Sequence, residues 1–260
     1  LDQDKPDLSK DPNIYFRERG SGPPLLLIHG LLATGVMFEP IEDALARHHR
    51  LIIPDLRGSG KSRHLPPPFS AKQQAEDLAQ LLDHLDIRSA DVLGYSHGGA
   101  IAQQFALDYP AQVNSLVLAC TYAHNMVTMR ERTEARVVPL LIRLLGMRRL
   151  ATHVVALGMR QIPPERAKGI IDMIADQDRD LMIPIWNEAM AFDSRSRLKE
   201  INCPTLIIAG ANDNAVPMHH PAMLHEGIKG SQLVVIEQAD HAMIWTYPER
   251  LVQAVDAFLV

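Results

Sequence analysis

The sequence predicts an α/β fold, with a mostly parallel central sheet, helices on both faces of it, and a helical lid inserted late in the chain. Three observations carry this reading. Short, nearly continuous apolar runs recur along the chain, as in strands buried on both faces. Helical stretches separate the first four runs, the alternation that builds a parallel sheet. Between Thr121 and Cys203 that alternation lapses into helix-like segments alone.

Taken in order, Asn13 to Arg19 precedes Gly20-Ser21-Gly22 and reads as an antiparallel edge hairpin arm. Leu25 to Ile28, Leu51 to Pro54, Asp91 to Gly94 and Ser115 to Ala119 are the first four buried strands; Thr205 to Ala209 and Gln232 to Ile236 are the last two. Gly98 to Tyr109 is a helix of small and apolar residues, stopped by Pro110. Helices are also expected near Met129 to Leu145, Leu150 to Leu157, Pro164 to Ala175 and Leu181 to Ala191, punctuated by proline and glycine. The chain thus divides into core residues 1–121, a lid over the strand ends at 122–200, and core residues 201–260.

With 260 residues, 47% of them hydrophobic, the chain can bury one large core. A net charge of −5 gives no electrostatic footprint for nucleic acid, and no apolar run approaches the roughly 20 residues that span a bilayer. Two cysteines, Cys120 and Cys203, read as small buried residues rather than a disulfide scaffold. The sequence opens at Leu1 with a polar stretch to Asn13 and no visible signal peptide. A cytoplasmic location is the default expectation, with a removed upstream leader left open.

Leu93-Gly94-Tyr95-Ser96-His97-Gly98-Gly99-Ala100 contains a Gly-x-Ser-x-Gly pentapeptide at the seam between a strand and a helix. A resting serine hydroxyl attacks almost nothing, so it needs a base within reach and an exposed oxygen. A sharp strand-to-helix turn provides the exposure, and glycines on either side relieve its crowding.

In an open parallel sheet, ligands bind outside the carboxyl ends of the strands. After Thr205 to Gly210 comes Ala211-Asn212-Asp213-Asn214, and after Gln232 to Ile236 comes Glu237-Gln238-Ala239-Asp240-His241. His241 would serve as base to Ser96, and Asp213 would orient it and stabilise the imidazolium. Asp240 is too near His241 in sequence to bond its ring well, and Cys120-Thr121-Tyr122 offers no carboxylate. The backbone amides of Leu31 and His97 are placed to form an oxyanion hole.

Jointly these features resemble the α/β-hydrolase fold over nearly the whole chain. The matching residues are His29-Gly30, Asp55-Leu56-Arg57-Gly58-Ser59-Gly60-Lys61-Ser62, the pentapeptide, Asp213, and His241 followed by Pro248-Glu249. Within that superfamily the chain looks like the small-lidded group of carboxylesterases, enol-lactone and acyl-homoserine lactone hydrolases, and cofactor-free haloperoxidases. The resemblance implies a serine hydrolase acting on carboxylic esters of small to medium acyl chains through an acyl-enzyme, with no cofactor. A lactonase, a perhydrolase, and a ligand receptor that retains the three residues are the alternatives. Ser96 stands where haloalkane dehalogenases and epoxide hydrolases place an aspartate, so neither chemistry is expected.

Other motifs carry less. Gly60-Lys61-Ser62 imitates the end of a phosphate-binding loop, but Asp55 stands where that loop needs glycine. The resemblance makes this segment a support for the site rim, with Arg57 structural, and His29 is read as structural too. His219, His220 and His225 lack a coherent ligand spacing, so they are read as surface histidines and no metal is expected. Candidate pocket residues are Leu32, Trp186, Val216 and His124, the last either lining the pocket or lying in a solvated loop. Arg130, Arg132, Arg136, Arg143, Arg148, Arg149 and Arg160 outnumber Glu131 and Glu134 in the first half of the lid and read as a solvated face. Val137, Val138, Leu140, Leu141, Leu144 and Leu145 are expected to turn inward, against the pocket. Trp186 and Met190, one helical turn apart, fit the same wall or core packing.

Overall fold

The computed structural model describes residues 13–159 and 161–259; Arg160 and the opening stretch before residue 13 lie outside the described residues. The chain runs β1 (Phe16–Arg19), β2 (Pro24–Ile28), α1 (Glu39–Leu45), β3 (Arg50–Pro54), α2 (Ala71–His84), β4 (Ala90–Tyr95), α3 (His97–Asp108) and β5 (Val113–Ala119). Three helices follow, α4 (Met129–Gly158), α5 (Pro164–Ala175) and α6 (Arg179–Ala191). The core resumes with β6 (Thr205–Gly210), α7 (His219–Gly227), β7 (Gln232–Ile236), α8 (Met243–Thr246) and α9 (Pro248–Leu259).

The strands form one seven-stranded sheet in the order β1-β3-β2-β4-β5-β6-β7, parallel except for β1. The expected edge arm is antiparallel, but its partner is β3 and not the β2 that follows it in sequence. The glycines after β1 turn the chain, and β1 covers the parallel set where that set ends at β3.

Successive strand residues face opposite ways, and here both faces are apolar. Leu26, Ile28, Val92, Leu116 and Leu118 pack on one side with α2 and α3, while Leu25, Leu27, Leu93, Val117 and Ala119 pack on the other with α1 and α9. Helix ends are fixed locally: the Ser70 hydroxyl accepts the Gln73 amide at the start of α2, and Pro248 opens α9.

The helical insert α4–α6 has its own apolar core, centred on Ile142, Leu150, Ile174 and Ile185, which also takes in Phe69 and Ala242 from the sheet domain. The two expected helices at its start are one element whose backbone breaks at Gly146, with φ 72° and ψ 167°. One expectation fails here. Val137, Leu140 and Leu144 are 40%, 53% and 69% exposed and face outward, whereas Val138 and Leu141 pack against the insert core. Val137 to Leu145 is apolar but for Arg143, so the run wraps round the helix, and a 3.6-residue period can turn only part of it inward.

Among the described residues, no helix is long and apolar enough to cross a membrane.

Candidate active site

The turn between β4 and α3 holds Ser96 at φ 55° and ψ −124°, a left-handed region that side chains other than glycine's rarely occupy. Two hydrogen bonds fix it, from the Ser96 amide to the Ala119 carbonyl (2.9 Å) and from the Gly99 amide to the Ser96 carbonyl (2.9 Å). A Cβ on Gly94 would collide with the Gly98 backbone, and one on Gly98 with the backbone of Ile28 and His29. Only glycine permits strand and helix to approach this closely.

Beyond β7, His241 presents Nε2 to Ser96 Oγ at 3.0 Å. Its Nδ1 lies 2.8 Å from Asp213 Oδ2 in the loop after β6. The other oxygen of Asp213 accepts the amides of Ala215 (2.9 Å) and Val216 (2.8 Å), so the carboxylate is held on both sides. Ser96, His241 and Asp213 thus stand in one hydrogen-bonded line. Burial on its own would lower the His241 pKa; the charge and hydrogen bond of Asp213, with Asp240 adding to them, outweigh it and raise the pKa above 6.5.

The β2–α1 loop passes directly against the serine, since a Cβ on Gly30 would lie 3.0 Å from Ser96 Cβ. Leu31 follows on the same loop and lines the cavity beside Ser96. His29 shapes this loop: its Nε2 accepts the Leu56 amide at 2.9 Å, which leaves Nδ1–H to donate to the Gly30 carbonyl at 2.9 Å. His97 opens α3, where the first amides have no partner within the helix. Its ring points away, to the Tyr122 hydroxyl at 3.0 Å, and burial, with the nearby His29 imidazole disfavouring a second proton, lowers its pKa to about 3, so it stays neutral. Arg57 makes two hydrogen bonds to Asp77, at 2.7 and 2.6 Å, and one to the Pro66 carbonyl, bracing the loop after β3.

Ser96 and His241 open into a cavity of about 240 Å³ between the sheet and the insert. Leu32, Trp186 and Val216 lie in its wall, as does Met190. His124 does not. It pairs with Asp193 in a short antiparallel bridge, with Nδ1 3.1 Å from the Phe192 carbonyl, where the two ends of the insert meet. That pairing holds its ring out of the wall.

Tyr95 escapes a reading of the pentapeptide as mere spacing. Its hydroxyl donates to the His241 carbonyl at 2.9 Å and accepts the Ile244 amide at 3.4 Å, pinning the loop that carries His241. Strand alternation is the signal that finds it, because Tyr95 shares a face with Leu93 and packs toward α8. The surface reading of the histidines fails for His220 and holds for His225, which is exposed. His220 is fully buried, His219 is 36% exposed, and both meet Glu131, while His225 meets the Ser231 hydroxyl at 2.9 Å.

Comparison with known proteins adds context. Residues 23–141 match the family model described as alpha/beta hydrolase fold, and residues 185–260 match that of a TAP-like protein. A pimeloyl-[acyl-carrier protein] methyl ester esterase of Neisseria meningitidis is 30% identical over 245 residues, 90% of this chain and 93% of that protein. A putative carbamate hydrolase RutD of Azorhizobium caulinodans is 28% identical over 92% of each chain. The solved thermophilic esterase from Thermogutta terrifontis superposes with a TM-score of 0.85 at 29% identity, covering 95% of this chain and 92% of its own.

Proposed function

The chain belongs to the α/β-hydrolase fold superfamily, and from that premise we propose that it is a serine hydrolase of carboxylic esters with small to medium, uncharged acyl chains. The observation that carries this reading is the line of 3.0 Å and 2.8 Å contacts from Ser96 through His241 to Asp213, opening on a cavity walled mostly by apolar side chains, with Asn125, Glu131 and Glu134 also in its wall.

In this mechanism His241 Nε2 takes the proton of Ser96 Oγ as that oxygen attacks the ester carbonyl carbon. The tetrahedral oxyanion is received by the backbone amides of Leu31 and His97. Asp213 holds the imidazole in the required tautomer and stabilises its protonated form. Collapse expels the alcohol, which takes the proton from His241, and leaves the acyl group on Ser96. Water then attacks with His241 as base, releasing the acid and restoring the serine. Leu32, Trp186, Met190 and Val216 supply the acyl wall, and the insert acts as a lid that keeps bulk water from the acyl-enzyme. A cavity of about 240 Å³ lies below the usual range of about 300–1,000 Å³ for ligand pockets, which favours a short chain.

The test is turnover of aryl esters of increasing chain length beside lactone, carbamate and peroxide-dependent halogenation panels. The proposal expects multiple turnovers on short and medium esters, lost by at least about 10⁴-fold in Ser96→Ala. Turnover confined to lactones or carbamates would replace the ester assignment. A single slow turnover with retained product would indicate a receptor.

A further inference from the structure

Glu131 lies in the first turn of α4, and His219 and His220 open α7 on the sheet domain. The fold brings a carboxylate oxygen and two imidazole nitrogens from these residues within 4.8 Å of one another. Glu131 Oε1 is 3.0 Å from His219 Nε2 and 3.1 Å from His220 Nε2. In a tetrahedral zinc site with ligands at about 2.0–2.1 Å, neighbouring ligand atoms stand about 3.3 Å apart. We propose that Glu131, His219 and His220 form a binding site for one divalent ion of the zinc type, tying the insert to the sheet domain beside the cavity.

Three features of the cluster support this over a plain hydrogen-bonded contact. His219 Nε2 is buried and has no hydrogen-bond partner among the described residues, despite lying 3.0 Å from the carboxylate. It is not aligned for a hydrogen bond there, and an ion between the three atoms gives it the partner it lacks. The second oxygen of Glu131 is already engaged: Oε2 accepts the Thr128 amide at 2.7 Å in a capping box, which fixes the carboxylate and leaves Oε1 to the histidines, where an ion would replace its hydrogen bond with His220 Nε2 at 3.1 Å. His220 is fully buried, with Nε2 3.1 Å from the same carboxylate oxygen, so the site is held inside the fold rather than on loose surface side chains.

Two imidazoles with one carboxylate suit zinc and its transition-metal neighbours rather than magnesium or calcium, which prefer oxygen. A water molecule completes the coordination. His220 Nδ1 has no partner among the described residues, so the ring lacks the outer hydrogen bond that strengthens a histidine ligand. Affinity on the order of micromolar is expected rather than the far tighter binding of a structural zinc site. The ion would not take part in the ester chemistry; it would clamp the base of α4, whose Glu131 also lines the cavity.

The experiment is calorimetric titration of the chelator-treated full chain with Zn²⁺, with the thermal midpoint followed in parallel. One Zn²⁺ per chain is expected, with a midpoint that rises with Zn²⁺ and does not respond to Mg²⁺ or Ca²⁺. His219 is partly exposed, so His219→Ala leaves no buried hole and should fold; it should weaken binding at least about tenfold. His220→Gln is a second variant with the same expectation. No stoichiometric binding to the wild-type chain, or binding unchanged in His219→Ala, would overturn the site. So would binding that survives in both variants and disappears in His241→Ala, because that places the ion at Cys120, Asp213 and His241.

Discussion

The strand ends and the helical insert face each other across one cavity but are built by different rules. At the strand ends each reactive side chain is fixed by several partners: Asp213 by two amides and His241, and the His241 loop by the Tyr95 hydroxyl. The insert is looser in kind. Its first helix breaks at Gly146, Met129, Val137, Leu140 and Leu144 face outward, and Arg136, Arg143 and Arg149 are exposed on it. Under the proposed function, the difference teaches that the sheet sets the chemistry, while the insert sets the shape of what reaches it. Changes at the strand ends should therefore act on rate, and changes in the insert wall on substrate preference.

The largest effect that would sharpen this contrast is expected from Asp213→Asn. The raised pKa of His241 comes from Asp213 working against burial. In the proposed mechanism the base is neutral His241, so the wild-type rate should fall on the acid side with a midpoint above 6.5. In the variant burial prevails and the midpoint moves down in pH, while kcat drops by about 10⁴-fold through loss of the correct tautomer. A pH profile of kcat/KM checks both signs; an unmoved midpoint would contradict the electrostatic assignment. By the same linkage, the pair stabilises the fold below the unfolded pKa of His241. That stabilisation fades as pH rises through the folded value.

A smaller and different effect is expected in the insert. Trp186 lines the cavity and donates its indole N–H to the Ala135 carbonyl at 3.1 Å, linking α6 to α4. Trp186→Ala should change KM for medium-chain esters by about tenfold, the worth of one or two buried methylenes, and leave kcat on the shortest ester within about twofold. A drop in kcat equal for all chain lengths would break the division between chemistry and shape.

The smallest effect concerns the outer face. Leu140→Ser should shift stability by less than about 0.5 kcal/mol, since the side chain is already 53% exposed. Thermal melting checks this, and a loss of several degrees would mean that the outer face is packed.

Much of this was legible in the sequence, for identifiable reasons. The strand-end rule found Asp213 and His241 because parallel strands all deliver their following loops to one edge. The place of His124 is not legible locally because its bridge partner, Asp193, closes the far end of the insert. The outward face of α4 is hidden in an apolar run that a single charged residue, Arg143, interrupts, too little to mark a face. Likewise, nothing near His219 and His220 announces Glu131, which lies on the other side of the insert in sequence and meets them only in the fold. The pairing of β1 with β3 is a property of strand order, which local pattern does not encode.

The most direct measurement is intact-mass analysis after treatment with a fluorophosphonate, followed by peptide mapping. A nucleophilic Ser96 activated by His241 predicts one adduct per chain, on the peptide containing Ser96, with labelling slowed at least about 10³-fold in His241→Ala. No adduct, an adduct on another residue, or labelling at the same rate in His241→Ala would contradict it.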